Sequence, residues 1–344
     1  MKRPVTEIPV VVITGASAGV GRATAIRFAN AGAKLGLIAR GEEALREMRG
    51  ELAGATAVAH RALDVANAEA MFEAADMFER ELGPIDIWIN DAMVTVFSPV
   101  REMTPEEFRR VTEVTYLGFV HGCMAALKHM RPRNKGHIIN IGSALAYRGI
   151  PLQSAYCGAK HAIRGFTSAL RSELEHEKSG IALTMVQLPA MNTPQFDWAR
   201  THMPNRPKPM GTIYEPEAAA AAVYRASIKR PKEYWVGLST FMTIIGNMVV
   251  PEFMDRFLAR TAVEGQETEL PVREDRKDNL YDPVTALHGT HGHFGADAKS
   301  RAFFANGQAA RAAVVMAGAA VFFVLGLLLP QHGRTAERIF PPHT

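Results

Sequence analysis

Between residues 9 and about 190, short runs of β-branched and other apolar residues alternate with longer stretches that are apolar on one face. The runs at 10–14, 34–39, 55–63, 85–90, 137–142 and 182–188 predict strands, and the stretches at 21–31, 42–52, 66–82, 105–130 and 155–178 predict helices. Strands that are apolar throughout have both faces covered, and helices between them supply the cover. The expectation is an α/β fold, a doubly wound parallel sheet with helices on both faces. Residues 191–213 are proline-rich and lack periodicity, as a long loop or lid would. A helix at 216–229, a strand at 233–238 and a further helix within 239–262 complete a domain spanning residues 1–262.

Beyond it, residues 263–310 are polar and aperiodic and read as a linker. Residues 312–329 then run for 18 positions without a polar side chain. As a helix this run is about 27 Å long, close to the roughly 30 Å hydrocarbon thickness of a bilayer. We expect residues 311–330 to form a single C-terminal membrane helix with a short tail at 331–344, the alternative being a buried core helix. At the other end, a cleavable signal peptide would have to remove the glycine motif that begins at Gly15, so none is expected. Composition narrows the picture further. With 39 Lys+Arg against 35 Asp+Glu, scattered along the chain, the net charge of +4 argues weakly for nucleic acid. Two cysteines exclude a disulfide scaffold and any cysteine-rich metal cluster.

The first strand leads into Gly15-Ala-Ser-Ala-Gly19-Val-Gly21 and then a helix. Glycines there permit a tight turn and close approach of a pyrophosphate, and the helix N-terminus offers free N–H groups and partial positive charge. Gly15, Ser17, Gly19, Val20 and Gly21 are therefore candidate dinucleotide contacts. The second strand ends in Arg40 with no acidic residue at its tip. A guanidinium suits a 2′-phosphate, which favours NADP over NAD, unless Arg40 is simply a solvated surface residue. Asp64, ending the third strand, either meets the adenine amino group or caps the next helix.

Ser143 ends a strand, and Tyr156 and Lys160 follow on one helix, one turn apart. A phenol near pKa 10 is a poor acid–base group at neutral pH, and an adjacent ammonium is expected to lower it toward the working range.

With these motifs together, the sequence resembles the short-chain dehydrogenase/reductase family over roughly residues 8–240, its Thr-Gly-x-x-x-Gly-x-Gly pattern being Thr14, Gly15, Gly19 and Gly21. The resemblance implies a Rossmann-like fold and hydride transfer between NADP(H) and a carbonyl or alcohol carbon. It implies Tyr156 as proton donor, Ser143 holding the substrate oxygen, and Lys160 binding the nicotinamide ribose and tuning Tyr156. It also implies homodimers or homotetramers. Departures stand out: the family's Asn-Asn-Ala-Gly reads Asn90-Asp91-Ala92-Met93, and the asparagine of its catalytic tetrad, which supports a water relay to the lysine, falls at Thr115. Asn90 and Thr193 are carried over as cofactor contacts, Thr193 to the carboxamide, and Thr115 as a catalytic position with an altered relay.

His288, His291 and His293 invite a metal reading, but with no cysteine nearby a solvated glycine-rich loop is expected and no metal. Cys157 reads as packing. Aromatic and methionine positions around 241–257 suggest pocket or core, and Phe196, Trp198 and Met203 a substrate lid that excludes water. The expected protein is a membrane-tethered NADP(H)-dependent oxidoreductase of a lipophilic alcohol or ketone, with its catalytic domain in the cytoplasm. The rival readings are a soluble reductase of a polar metabolite, its apolar tail packed in an oligomer, and a non-catalytic NADP(H)-binding scaffold.

Overall fold

A computed structural model describes residues 8–284 and 288–328, the side chains of 321–328 excepted. An eight-stranded sheet forms its centre: β1 (Val10–Thr14), β2 (Lys34–Ala39), β3 (Val58–Ala62), β4 (Ile85–Asn90), β5 (Gly136–Ser143), β6 (Ile181–Leu188), β7 (Glu233–Val236) and β8 (Phe304–Asn306). Their spatial order is β8-β7-β6-β5-β4-β1-β2-β3, every pairing parallel except β7 with β8. Strand order reverses between β1 and β4, and the carboxyl ends on either side of such a reversal frame the crevice where α/β sheets bind ligands.

The helices are α1 (Gly19–Ala29), α2 (Glu42–Leu52), α3 (Ala68–Leu82), α4 (Pro105–Thr112), α5 (Gly118–Met130), α6 (Ser154–His176), α7 (Gln195–Trp198), α8 (Pro216–Lys229), α9 (Leu238–Val249), α10 (Pro251–Thr261) and α11 (Gly307–Leu328). Their starts follow local chemistry. Asn67 caps α3 by accepting from Ala70 N at 3.1 Å. Thr104 and Glu107 form a reciprocal capping box on α4, with Pro105 in its first turn. Apolar side chains on the two faces of the sheet make two cores. One packs α1 against α8, where Phe28 meets Tyr224 edge-on at 5.3 Å between centroids; the other lies under α3, α5 and α6. Gly36 on β2 leaves the space that the Phe78 ring fills, since a Cβ there would stand 2.9 Å from it.

The structure departs from the expected pattern in three places. The helix expected across 105–130 is broken by a π-helical turn, Glu113–Leu117. The single helix within 239–262 is two, divided where Pro251 cannot continue the ladder of α9. The expected pocket or core is met only in part: Phe241 packs on Trp235 and Ile244 is buried, whereas Met242, Phe253 and Phe257 stand on exposed surface, 67%, 63% and 45% accessible. Finally, the stretch expected as a linker is built into the first unit. Glu267–Pro271 pairs with Asn205–Pro207, and β8 extends the main sheet.

The described chain divides into two units after Gly307. Most of the second is α11, which begins at Gly307, ahead of the run expected to be a membrane helix, and continues into it. Among the described residues no helix is long and apolar enough to cross a membrane. Residues 329 and 330 of the expected anchor, the tail 331–344 and the N-terminal residues 1–7 lie outside the described residues.

Candidate active site

The carboxyl ends of β1 and β4 are tied together by Thr14, whose Oγ1 accepts from Asp91 N (3.1 Å) and Ala92 N (3.2 Å). Gly15 follows with φ +72°, and a Cβ on it would lie 2.8 Å from Ala92 Cα. At Gly21 a Cβ would meet Gly15 O at 2.2 Å. Only glycine fits either position, which leaves a cradle of backbone atoms at the amino end of α1. Ala18 caps that helix with no side-chain acceptor; of its first N–H groups Gly19 N donates to Gly289 O and Gly21 N to the Asp91 carboxylate.

A cleft of about 190 Å³ opens from this point, bordered by Gly15, Ser17, Gly19, Val20, Arg40, Asp64, Asp91, Met93 and Thr193. The glycine cradle at the amino end of α1 fits a dinucleotide phosphate. The volume is below the roughly 300–1,000 Å³ of ordinary small-molecule sites. The chain itself narrows the cleft, because Gly289 O accepts from Gly19 N at 3.0 Å and His288 lines the wall, its ring 6.2 Å from that of Trp198. Gly292 N donates to Asn192 O, and Phe294 N to Asn192 Oδ1. A segment well beyond the glycine loop thus covers it, which no local pattern signalled.

Several expected cofactor residues have other partners. Arg40 lines the cleft, but its guanidinium donates to the carbonyls of Asn279, Leu280 and Tyr281. It is not a free surface arginine. Asp64 accepts from Ala66 N at 2.9 Å and pairs with Arg110, so its carboxylate serves the turn and an ion pair. Asn90 is 1% exposed and points beneath the sheet end, accepting from Trp88 Nε1 and donating to Asn140 Oδ1, both within 2.9 Å. Its role is to lock β4 to β5 rather than to touch a ligand in the cleft. Thr193 borders the cleft as expected.

The catalytic candidates come together at the ends of β5 and α6. Ser143, on β5, accepts from Leu145 N (3.1 Å) and hydrogen-bonds Tyr156. Lys160 is buried, donates to Ile141 O at 2.8 Å, and lies 4.7 Å from the Phe119 ring centre and 5.6 Å from that of Tyr156. These three do not border the cleft; the neighbouring Asp91 does.

Electrostatics here correct the expectation for Tyr156. Burial drives its phenol well above the ordinary value; the Ser143 hydrogen bond opposes this, and Cys157 and Asp91 add to it. Lys160 gives no counterweight. Burial pulls its ammonium down toward the neutral amine, with Asp91 opposing, while burial pushes the Asp91 carboxyl up, with Lys160 and the Gly21 N–H opposing. A buried ammonium bonded to a carbonyl and facing a carboxylate has little field left for the phenol. Thr115 is corrected too. Its hydroxyl donates to Val94 O (2.8 Å) and accepts from Val94 N (3.0 Å), so it braces the loop after β4 and is not turned toward Lys160.

The other residues singled out fall as follows. Cys157 is buried, its thiol pushed up to about 11 by desolvation. His293 meets Asp197 at 2.9 Å. His291 approaches Glu217 at 2.9 Å and Glu215 at 3.9 Å, a cluster far from the trio in sequence. Met203 joins Phe97, Leu152 and Ala199 in a small apolar cluster with Phe196 packed against it, and Trp198 borders the cleft.

Comparison with known proteins agrees with this geometry. Residues 9–203 match the short chain dehydrogenase family. The chain is 33% identical over 283 residues to the uncharacterized oxidoreductase YxnA of Bacillus subtilis, covering 81% of this chain and 79% of that one. An alcohol dehydrogenase from Thermococcus sibiricus, complexed with 5-hydroxy-NADP, superposes with a TM-score of 0.58 at 27% identity, over 67% of this chain and 96% of that one. A metagenomic short-chain oxidoreductase in complex with NADP gives 0.55 at 25% identity, over 64% and 91%.

Proposed function

The chain belongs to the short-chain dehydrogenase/reductase family, and on that premise we propose that it prefers NADP(H) and acts on a lipophilic alcohol or ketone. The observation that carries the reading is the meeting of Ser143, Tyr156 and Lys160 beside a glycine cradle at the sheet's reversal point. The nicotinamide, when bound, supplies or takes the hydride. In the reducing direction Tyr156 gives its phenolic proton to the carbonyl oxygen, and the Ser143 hydroxyl hydrogen-bonds that same oxygen; oxidation reverses both. Lys160 holds the nicotinamide ribose, while Gly15, Ser17, Gly19, Val20 and Thr193 hold the rest of the dinucleotide.

Two observations support NADP: Arg40 stands at the tip of β2 beside the cleft with neutral carbonyls as its partners, and two structural neighbours carry NADP-type cofactors. A dianionic phosphate is a stronger acceptor for a guanidinium than a carbonyl is. The apolar cluster at Phe97, Leu152 and Met203 and the exposed apolar face of α9 and α10 support a lipophilic substrate. Attachment of a cytoplasmic catalytic unit to a membrane through residues 312–329 remains part of the proposal, as does assembly into dimers or tetramers.

The test is a screen of alcohols and ketones of graded chain length with NADPH, NADP, NADH and NAD, beside Tyr156→Phe. Turnover with long-chain substrates that is lost in the variant is expected. Wild-type turnover in Tyr156→Phe ends the reading. Exclusive activity on polar substrates, with the full chain staying in detergent-free solution, replaces it with a soluble reductase.

A further inference from the structure

From Leu238 to Val250 the chain carries no charged side chain, yet α9, which this stretch builds, lies on the surface. Its inner side is accounted for: Thr240 and Ile244 are buried, and Phe241 packs on Trp235 of β7 and on Phe303, 5.6 Å away between ring centroids. Its outer side shows Leu238, Met242, Met248 and Val249 to solvent. Met254 of α10 lies over Gly246 of α9, and α10 extends the exposed apolar area. Only Leu258 of that helix is buried, and Phe253 and Phe257, one turn apart, stack at 6.3 Å and 18° with both rings exposed. Arg256 and Arg260, also exposed and one turn apart, flank that pair. An uncharged outer face beside a basic edge suits the boundary between lipid headgroups and acyl chains better than it suits water.

Where the chain goes next decides what covers this face. Phe303, packed against Phe241, precedes β8, and Gly307 follows it so close to Trp235 that a Cβ would stand 2.6 Å from the indole Nε1. From Gly307, five residue steps reach the apolar run 312–329, a span of at most about 18 Å when fully extended. A chain held at a membrane by that run therefore keeps α9 within reach of the lipid. Resting on the membrane attachment proposed above, we propose that the outer face of α9 and α10 is a docking surface for a lipid bilayer. Its apolar side chains lie in the headgroup–acyl boundary, and Arg256 and Arg260 meet anionic headgroups. The face is firmly tied to the site. Asn247 Nδ2 donates to Tyr147 O at 2.9 Å, and Arg148 donates to Asn247 Oδ1 at 3.1 Å and pairs with Asp255. Tyr147 and Arg148 follow the short turn Ala144–Ala146 that begins at Ser143, so docking brings that turn to the surface from which a lipophilic substrate comes. A second copy of the chain would also cover apolar surface, but the short tether to the apolar run points to lipid.

The experiment places a nitroxide on single cysteines in the full chain, at Met242→Cys, Phe253→Cys and, within the apolar run, Met316→Cys; the native Cys123 and Cys157 are buried. Arg49→Cys, exposed on α2 at the opposite edge of the sheet, is the control. Oxygen and a water-soluble nickel complex, as relaxing agents in EPR, read label depth in vesicles of equal parts phosphatidylcholine and phosphatidylglycerol. Labels at 242 and 253 are expected to sit about 5–10 Å below the phosphates, with that at 316 deeper and that at 49 in water. Labels at 242 and 253 in water while 316 reports the bilayer interior overturn the docking face and leave the membrane attachment standing. Labels in water at 242, 253 and 316 alike overturn the attachment and the docking face with it. Shielding of 242 and 253 from both agents before vesicles are added means that a second copy covers the face, which also overturns the proposal. Should either variant fail to fold, Leu238→Cys and Val249→Cys, exposed to a similar degree, take their place.

Discussion

Replacing Thr115 with valine removes a hydroxyl and little else, since the two side chains share shape and volume. In the structure that hydroxyl is fully buried and serves one residue twice, donating to Val94 O at 2.8 Å and accepting from Val94 N at 3.0 Å. Valine leaves both backbone groups facing a methyl, buried from solvent. Each lost hydrogen bond is worth about 1 kcal/mol net, and each polar group left buried and unpaired costs about 1–3 kcal/mol. Partial relaxation of the loop after β4 recovers some of this, so the expected loss is about 2–4 kcal/mol. Urea unfolding at constant slope gives it directly, and the melting temperature should fall on the order of 5 °C or more. Because the hydroxyl braces a loop, the pH profile of kcat should keep its shape in the surviving folded enzyme. A loss below about 0.5 kcal/mol, the range of ordinary surface substitutions, would refute the bracing role. So would a folded variant of normal stability whose kcat drops a hundredfold, for then the hydroxyl acts in proton transfer.

Four further outcomes follow from the same geometry. Gly21→Ala places a Cβ 2.2 Å from Gly15 O, a backbone atom that cannot move aside, and should weaken NADPH binding at least about tenfold in a fluorescence titration. Arg40→Asp should turn the NADP/NAD selectivity ratio toward NAD and, by freeing the carbonyls of residues 279–281, speed proteolysis near them; an unchanged ratio removes Arg40 from cofactor choice. In Gly292→Ala the new Cβ lies 2.5 Å from Thr193 O, which should displace the segment covering Gly19 and raise the association rate of cofactor in stopped flow. His137 is held neutral in the fold, its pKa lowered to about 3 chiefly by burial and then by Arg230. The unfolded chain takes up a proton below the ordinary 6.5 and the fold does not, so this part of the stability is intact above 6.5 and lost as pH falls toward 3, at up to about 1.4 kcal/mol per pH unit. The urea midpoint of His137→Asn should therefore fall less steeply than wild type between pH 6 and 4.

What the sequence determined by itself is what local physics writes locally. Val10–Thr14 is apolar and buried along its whole length, and β2, β4 and β6 are largely so, because these strands are covered on both faces, so the parallel sheet was legible from their runs. The glycine spacing was legible because Gly15 and Gly21 are needed where backbone meets backbone, and the one-turn spacing of Tyr156 and Lys160 put both on α6. The tertiary structure alone decided what those residues meet. Arg40 and Asp64 sit at the predicted strand ends, yet their partners come from residues 279–281 and from Arg110. Asn90 turned toward Asn140, and β8 came from a stretch with no strand pattern of its own. Even the ionisation of Tyr156 was settled this way, by depth of burial and the placing of Asp91. Periodicity and spacing act over a few residues, whereas desolvation and hydrogen-bond partners depend on which distant segments the closed chain brings together.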